Sequence, residues 1–354
     1  MFKKLTTLLA ATALALGMAA CSNEGGAGGK EIWYSTKNST EEVHVAFGDG
    51  VVDAAKEAGF KGEVTVAESD AAKQNDQLNN LVQNIQPAAI VVNPYDSDSV
   101  SDVLARANSA DIPIAVIDNK ANNADVDISV LFNSISAGEA AGEKAVELLT
   151  ERYGEPKGVV VNLYGEVVSQ VFKERAEGFE NVIKKHPNIE LISALGAPES
   201  DVATSALSNI IADAKSAGKK IDLVNTPADT ATLGVAEALK TNGMWLKKDD
   251  PNHVFLISVE GQSAILDLIR EGYVDADVVL DVFGVGGIAV EVLNEYTMQG
   301  KEVPTSGTYK PKGDYLNEEV TFEEGDTGPT IMLDSLVVDS DNVDDERIWG
   351  NATN

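Results

Sequence analysis

The chain of 354 residues is short of cysteine, histidine and basic side chains. It has one cysteine, three histidines, and 27 lysines and arginines against 57 acidic residues, which gives a formal net charge of −30. A single cysteine excludes a disulfide framework and any cluster of thiolate metal ligands. The acidic balance argues against a nucleic-acid binder, because such a protein needs a basic stripe to meet the phosphates. With 44% hydrophobic residues, the composition is nevertheless that of a globular protein.

Catalytic motifs are missing as well. The histidines are scattered at 44, 186 and 253, and no HExxH, GxSxG or P-loop spacing is present. The glycines of 284–287 do not predict a dinucleotide-binding loop, because they lie late in the chain and lack the strand, helix and acidic residue that such a loop requires. We therefore expect neither an enzyme nor a metal or cofactor site.

The start of the chain carries a targeting pattern. Residues 1–20 open with a pair of lysines, continue with an apolar run too short to span a membrane, and end in two alanines, as secretory signal peptides do. The single cysteine, Cys21, follows directly. This arrangement resembles the bacterial lipoprotein signal, which implies that lipidated Cys21 anchors an exported protein to the outer face of the cell membrane. A plain signal peptide, with a periplasmic product, is the alternative. Residues 21–30 then predict a flexible linker.

From residue 31 onward, short apolar runs alternate with amphipathic stretches. Leu78, Leu81, Val82 and Ile85 have the spacing i, i+3, i+4, i+7, which puts them on one face of a helix. The apolar runs are nearly continuous, which is typical of parallel strands covered on both faces. Roughly ten such runs suit two doubly wound α/β sheets better than one long sheet. Ligands bind such sheets beyond the carboxyl ends of the strands.

One stretch resembles a known family. From Val92 the chain reads VNPYDSDSVSDVLARANSADIPIAVIDN, which is similar to the ribose-type periplasmic sugar-binding proteins, the substrate-binding components of ABC transporters. The segment KERAEGF at 173–179 and the tail at 337–343 match the same family, so that the resemblance covers roughly residue 31 to the end of the chain. It implies a type I periplasmic-binding fold, in which two lobes joined by a multi-strand hinge close over a small polar solute.

The resemblance also implies a division into lobes and a set of partners. Residues 31–132 with about 284–303 are expected to form an N-terminal lobe, and residues 133–283 with about 304–354 a C-terminal lobe. The expected partners are a sugar and an ABC permease in the membrane. No nucleic acid is expected, and the chain is expected to be a monomer.

Six polar residues occupy positions where this family contacts its ligand or lie next to such a position. A carboxylate suits the task because its two oxygens can accept hydrogen bonds from two neighbouring sugar hydroxyls. Capping of a helix N-terminus is the alternative for the acids, and for Asp229 it is the stronger one. The expected ligand-binding residues are Asp118, Asn119, Lys173, Asp229, Glu260 and Asp281.

The aromatic residues depart from the family. The ribose type holds the sugar ring between phenylalanines, whereas the corresponding segment at 39–44 reads STEEVH. Candidates for stacking near other strand ends are Tyr95, Tyr164, Phe172 and Phe283, although packing is the alternative for the two tyrosines.

A second function therefore stays open. Asp118, Glu260 and Asp281 are three carboxylates opposed by Lys173 alone, and unpaired carboxylates that converge would favour a cationic or amine-bearing solute. A sensory receptor on the same fold is a further alternative.

Overall fold

A computed structural model describes residues 29–165, 170–197 and 199–352. The predicted signal peptide and Cys21 lie outside these ranges. Among the described helices, none has both the length and the apolar composition that crossing a membrane requires.

Strands and helices alternate along most of the described chain. The strands are β1 (Glu31–Thr36), β2 (Lys61–Val66), β3 (Ala89–Val92), β4 (Ile114–Ile117), β5 (Ile128–Phe132), β6 (Gly158–Tyr164), β7 (Ile189–Leu195), β8 (Leu223–Asn225), β9 (Phe255–Glu260), β10 (Ala276–Val279), β11 (Thr308–Tyr309), β12 (Val320–Gly325), β13 (Gly328–Leu333) and β14 (Leu336–Val338). The helices are α1 (Glu42–Glu57), α2 (Ala71–Asn80), α3 (Ser101–Ser109), α4 (Ser134–Tyr153), α5 (Gln170–Ile183), α6 (Ser200–Ser216), α7 (Asp229–Thr241), α8 (Ser263–Glu271), α9 (Val282–Glu295) and α10 (Trp349–Ala352). A π-helical turn (Leu81–Ile85) continues α2, and a 3₁₀ turn (Thr297–Gln299) follows α9.

The strands form two sheets with the same winding. The first has the order β11-β12-β13-β5-β4-β3-β1-β2 and the second the order β14-β10-β9-β8-β6-β7. Strands β1 to β5 pair in parallel in the first sheet, and β6 to β10 do so in the second. The first five strands of each half are thus arranged alike, with the order reversing beside β1 and beside β6. This confirms the predicted α/β class of two doubly wound sheets.

The core follows from the apolar strands. All four residues of β3 and of β4 are buried, as expected for parallel strands with helices on both faces. Three residues of the predicted apolar face of α2 and its π-helical turn are buried, namely Leu78, Leu81 and Val82, whereas the fourth, Ile85, is 36% exposed. Asp70 begins this helix by accepting hydrogen bonds from the amides of Ala72 and Lys73.

The crossings between the sheets follow β5, β10 and β13. After β10 the chain returns to the first sheet as α9, which packs on α1, β4 and β5. Strand β13 pairs with β5, and β14 pairs with β10. The last crossing therefore lies between β13 and β14, not near 304 as expected, because the β12–β13 hairpin buries Phe322, Ile331 and Leu333 in the core. We call the first sheet with α1, α2, α3 and α9 the first lobe, and the second sheet with α4 to α8 the second lobe.

Helices α4 and α5 of the second lobe approach each other through glycine. A Cβ atom at Gly138 would clash with the carbonyl oxygen of Arg175, and one at Gly178 would clash with that of Ile135. Backbone therefore meets backbone at this crossing. The contact sets the position of α5 and of the side chains that α5 carries.

Candidate ligand-binding cleft

The first lobe presents three polar residues where neighbouring strands end. Lys37 follows β1, Asn93 follows β3 and Asp118 follows β4. The Lys37 ammonium lies 2.9 Å from Asp118 Oδ2, and Asn93 Nδ2 donates to the same oxygen at 3.1 Å. Since β1, β3 and β4 are adjacent in the sheet, their carboxyl ends bring residues distant in sequence into one cluster. We call Lys37, Asn93 and Asp118 the first-lobe cluster.

Charge compensation controls ionisation in this cluster. Burial by itself would raise the pKa of Asp118, but the charges of Lys37 and His44 and the hydrogen bonds from Lys37 and Asn93 outweigh it and hold the pKa below its usual value. Burial, with the charge of Lys37 added, lowers the pKa of His44. The cluster therefore presents an ionised carboxylate beside a largely neutral imidazole at neutral pH.

The second lobe presents an arginine and a glutamate. Arg175 extends from α5, and its Nη1 donates to the carbonyl oxygen of Pro227 at 2.8 Å and lies 3.4 Å from Glu260 Oε1. Arg175 is 5% exposed, whereas the side chain of Glu260 is 19% exposed, so that the carboxylate is the outer member of the pair. We call Arg175 and Glu260 the second-lobe pair.

Glu260 ends β9 in an unusual conformation. Its φ is +134° and that of Gly261 is +101°, and such values are costly for a residue with a side chain. Asp229, which is fully buried, accepts hydrogen bonds from the amides of Gly261 and Gln262 at 2.9 and 2.6 Å. The carboxylate of Asp229 thus holds the turn that presents Glu260.

A charge of the first lobe acts on the second-lobe pair. Burial raises the pKa of Glu260, Arg175 offsets part of this rise, and the charge of Glu41 in the first lobe adds to it. Glu41 directly precedes α1, near the end of β1. A charge near the carboxyl edge of the first sheet therefore acts on the carboxyl edge of the second.

The structure places the six predicted polar residues in different surroundings. Asp118 and Glu260 lie in the two clusters. Asn119 donates to the carbonyl oxygen of Pro94 at 3.1 Å, so its amide is used by the neighbouring loop after β3. Lys173 is exposed and lines a shallow groove of about 250 Å³ with Tyr164.

The remaining two acids brace the backbone. Asp229 does not cap its own helix, because its carboxylate bonds to the Glu260 turn instead. Asp281 is 1% exposed, begins α9 by accepting from the Gly284 amide at 3.0 Å, and accepts from Asn317 at 2.8 and 3.0 Å. Both carboxylates are therefore already occupied by protein donors.

The aromatic candidates differ in their surroundings. Tyr95 is 45% exposed beyond β3, and Tyr164 lies beside Lys173 in the shallow groove. Phe172 lies next to the second-lobe pair, with the Arg175 guanidinium carbon 5.9 Å from its ring centroid. Phe172 is thus in contact with the second-lobe pair, whereas the fourth candidate, Phe283, packs against the hydrophobic core.

Four residues of the clusters and their surroundings were not among those predicted. Asn93 follows an apolar run, so its position after β3 could have identified it, whereas Lys37 follows the polar residues Ser35 and Thr36 at the end of β1. Arg175 was missed in favour of Lys173 although both belong to the same helix. Two residues apart on a helix means about 200° of rotation, and only Arg175 turns towards Glu260. His44 carries no local signal, because its role depends on where α1 packs.

A larger cavity lies elsewhere in the described part of the chain. It has about 560 Å³ and lies on the face of the first sheet that carries Ser129, Leu131 and Thr330. None of the cluster residues lines it. Among the described residues, no group of histidine, cysteine and acidic side chains is arranged to hold a metal ion.

The fold and its paired clusters define a two-lobed solute-binding protein. The family model described as a periplasmic binding protein domain matches residues 32–302, and the chain belongs to this family. It is an extracytoplasmic substrate-binding protein of the ABC-transporter type and not an enzyme.

Curated relatives and solved structures agree with this membership. The chain is 24% identical over 284 residues to the ribose import binding protein of Bacillus subtilis, which covers 80% of this chain and 86% of that one. It is 26% identical over 344 residues to the xylitol-binding protein of Mycolicibacterium smegmatis, covering 94% and 92%. An ABC transporter solute-binding protein from Bacillus halodurans with bound myo-inositol shares the fold, with a TM-score of 0.69, 23% identity, and coverage of 92% of this chain and 99% of that one.

Proposed function

We propose that the chain captures a small neutral sugar or sugar alcohol between its lobes and delivers it to an ABC permease. The observation that carries the proposal is the pair of charge-compensated clusters at the carboxyl edges of the two sheets. Each cluster joins hydrogen-bond donors and acceptors within a few ångströms, which is what a molecule with several hydroxyl groups requires.

Unpaired polar atoms around the clusters support this reading. Asn93 Oδ1, His44 Nδ1 and Arg175 Nε are buried and have no hydrogen-bond partner among the described residues. A buried polar atom without a partner costs free energy. A solute with hydroxyl groups can both donate to and accept from such atoms.

The relatives favour the same class of solute. Their names state ribose and xylitol as the compounds bound, and a further relative from Actinobacillus succinogenes, 28% identical over 226 residues, is a D-apiose import binding protein. These are neutral five-carbon sugars and a sugar alcohol.

The charge balance does not favour a cationic solute. The carboxylate of Asp118 is paired with Lys37 and that of Glu260 with Arg175, while Asp281 is bonded to Asn317. The three carboxylates that motivated a cationic ligand are therefore not left unpaired, and the clusters are close to neutral overall.

The test is a thermal-shift and calorimetry panel on the purified chain with ribose, apiose, xylitol, arabinose, myo-inositol and, as the cationic arm, a diamine. We expect a saturable rise in Tm with one sugar or sugar alcohol. A flat response to every sugar and polyol would overturn the proposal, and a saturable response to the diamine alone would restore the cationic hypothesis.

Two variants on one helix test which residue reaches the solute. Arg175→Gln should weaken binding of the sugar found in the panel by about tenfold or more, because it removes a charge-assisted donor. Lys173→Gln changes the same charge two residues away and should leave the affinity within about twofold. The opposite ranking would contradict the assignment of Arg175.

Membrane attachment is a separate proposal. We infer from residues 1–21 that Cys21 is lipidated after export and that residues 21–30 tether the body of the protein. Mass spectrometry of the membrane fraction should show a diacylated Cys21, and Cys21→Ser should release the protein in soluble form. Retention of that variant in the membrane would contradict lipidation.

Closure of the lobes as a monomer is also proposed. The three crossings after β5, β10 and β13 form the hinge, and the lobes on either side are expected to approach when the solute binds. Small-angle scattering with and without the sugar should show a monomer whose radius of gyration falls on binding. An unchanged radius or a dimer would contradict this arrangement.

A further inference from the structure

The end of the chain packs against the turn that presents Glu260. Trp349 is fully buried, and its indole Nε1 donates to the carbonyl oxygen of Glu260 at 2.8 Å. The packing is close, because a Cβ atom at Gly350 would clash with the carbonyl oxygen of Gly261, and one at Gly261 would lie 2.9 Å from Trp349 Nε1. The sequence separates the indole from Glu260 by 89 positions.

The segment before Trp349 is itself firmly held. Arg270 on α8 donates to Asp344 Oδ1 at 2.8 Å, to Asn351 Oδ1 at 2.6 Å and to the carbonyl oxygen of Val343 at 3.2 Å. The Asn351 amide in turn donates to the carbonyl oxygens of Val343 and Asp345 at 2.9 and 2.8 Å. These bonds fold the chain after β14 back over α8, on both sides of Trp349 in the sequence.

The indole of Trp349 donates to a turn whose backbone conformation is strained. Glu260 and Gly261 both have positive φ, and such a turn persists only when its surroundings over-determine it. Asp229 holds the amides of Gly261 and Gln262, and Trp349 holds the carbonyl group of Glu260. The two contacts fix the peptide groups that determine where the Glu260 carboxylate points.

We propose that Trp349 is a positioning residue for solute binding, which orients Glu260 beside Arg175 by holding its carbonyl group. This inference rests on the proposed function, since it assigns Glu260 a contact with the solute. Trp349 itself does not touch the solute. Its effect passes through one hydrogen bond to the backbone and through the shape of the turn.

Trp349→Phe tests the hydrogen bond while keeping an aromatic ring in the core. We expect the affinity for the sugar found in the panel to fall by about fivefold to tenfold, mainly through faster dissociation. Trp33→Phe is the matched control, because it removes an indole that donates to Glu31 in the first lobe, and it should leave the affinity unchanged. Equal affinities of Trp349→Phe and the wild type would overturn the inference.

Two further measurements complement this test: the first keeps Trp349 in place, and the second needs no solute. The double variant Trp33→Phe/Trp245→Phe leaves Trp349 as the only tryptophan, and its emission should change on addition of the sugar; no change would count against the inference. Hydrogen exchange without sugar should be faster at residues 260–262 in Trp349→Phe than in the wild type. If the wild type binds no compound of the panel, the proposed function fails. Unchanged hydrogen exchange at residues 260–262 in Trp349→Phe would separately overturn the positioning role of Trp349.

Discussion

At the scale of single residues, the position after a strand determines which polar groups meet. Lys37, Asn93 and Asp118 are far apart in the sequence, yet each follows one of three adjacent strands. In this cluster the carboxylate of Asp118 is ionised, and Lys37 compensates part of its charge. Such a carboxylate can accept hydrogen bonds from a neutral solute without binding cations nonspecifically.

Asp118→Asn should destabilise the protein at neutral pH and weaken binding of the sugar. The folded pKa of Asp118 lies below its usual value because Lys37, His44 and the hydrogen bonds from Lys37 and Asn93 outweigh burial, which alone would raise it. Its stabilising contribution is therefore present above the unfolded pKa of about 3.9 and is lost as the pH falls through the lower folded pKa.

Thermal unfolding at pH 7 and at pH 3 checks this prediction. The variant should have the lower Tm at pH 7, and the difference should shrink at pH 3. The exposed Asp125→Asn in the same lobe is the control and should show little difference at either pH. A Tm difference between wild type and Asp118→Asn that increases as the pH falls would contradict the prediction.

Asp277→Asn should instead stabilise the protein, and more so at higher pH. Asp277 lies fully buried on β10, and neither of its carboxyl oxygens has a hydrogen-bond partner among the residues that the structure describes. Burial, with the charge of Glu260 added, raises its pKa to about 8. The folded protein keeps a proton that the unfolded chain loses above about pH 3.9, so stability is lost between that pH and 8.

A pH series of unfolding temperatures measures the effect. We expect Asp277→Asn to match the wild type near pH 4 and to exceed its Tm by about 3 °C or more at pH 8. The exposed Asp249→Asn should show no such dependence. If instead the Tm of the wild type rises relative to that of Asp277→Asn as the pH increases, Asp277 is ionised in the folded state.

At the scale of elements, periodicity predicted the type of most segments but not which side of a helix faces the cleft. The apolar face of α2 and its π-helical turn was readable from the spacing of Leu78, Leu81 and Val82, which are buried, although Ile85 is exposed. The position of α5 was not, because it depends on glycine contacts with α4, a helix that comes before β6 in the chain. This is why the prediction chose Lys173, whereas in the structure Arg175 is the residue of this helix that pairs with Glu260.

Gly178→Ala should therefore weaken both the fold and the site. An added Cβ would clash with the carbonyl oxygen of Ile135, which forces α5 away from α4 and moves Arg175 with it. We expect a Tm lower by about 4 °C or more and weaker sugar binding. Gly48→Ala on α1 is the control, since the nearest atom to its Cβ is Tyr34 Cδ1 at 3.4 Å, and helix propensity should keep its Tm equal or higher. Equal losses in both variants would contradict the proposed role of the crossing.

At the scale of the whole molecule, the net charge of −30 belongs mainly to the surface. The acids near the cleft are few, and those of the two clusters are paired. Self-repulsion of the remaining charge opposes compaction and is screened by salt. Raising NaCl from 10 to 300 mM should therefore raise the Tm by on the order of a few degrees. A flat or falling Tm would show that attractive ion pairs outweigh the repulsion.

The sequence by itself determined the class of the protein. Apolar runs of strand length between amphipathic helices indicate parallel sheets covered on both faces, and about ten of them suit two sheets better than one. The resemblance around residues 92–119 identified the family, and the match to that family gave Asp118 and Glu260 as expected ligand-binding residues. These features are local, since a strand or a helix face can be read from a window of a few residues.

The tertiary structure decided which polar groups are available to a solute. Asp229 and Asp281 are occupied by backbone amides, Lys37 neutralises Asp118, and the chain end reaches back to Glu260. It also placed β11 to β13 in the first lobe. Each of these outcomes joins residues that are distant in sequence, for example 81 positions between Lys37 and Asp118. The packing of whole elements determines such contacts, and no local pattern of residues encodes them.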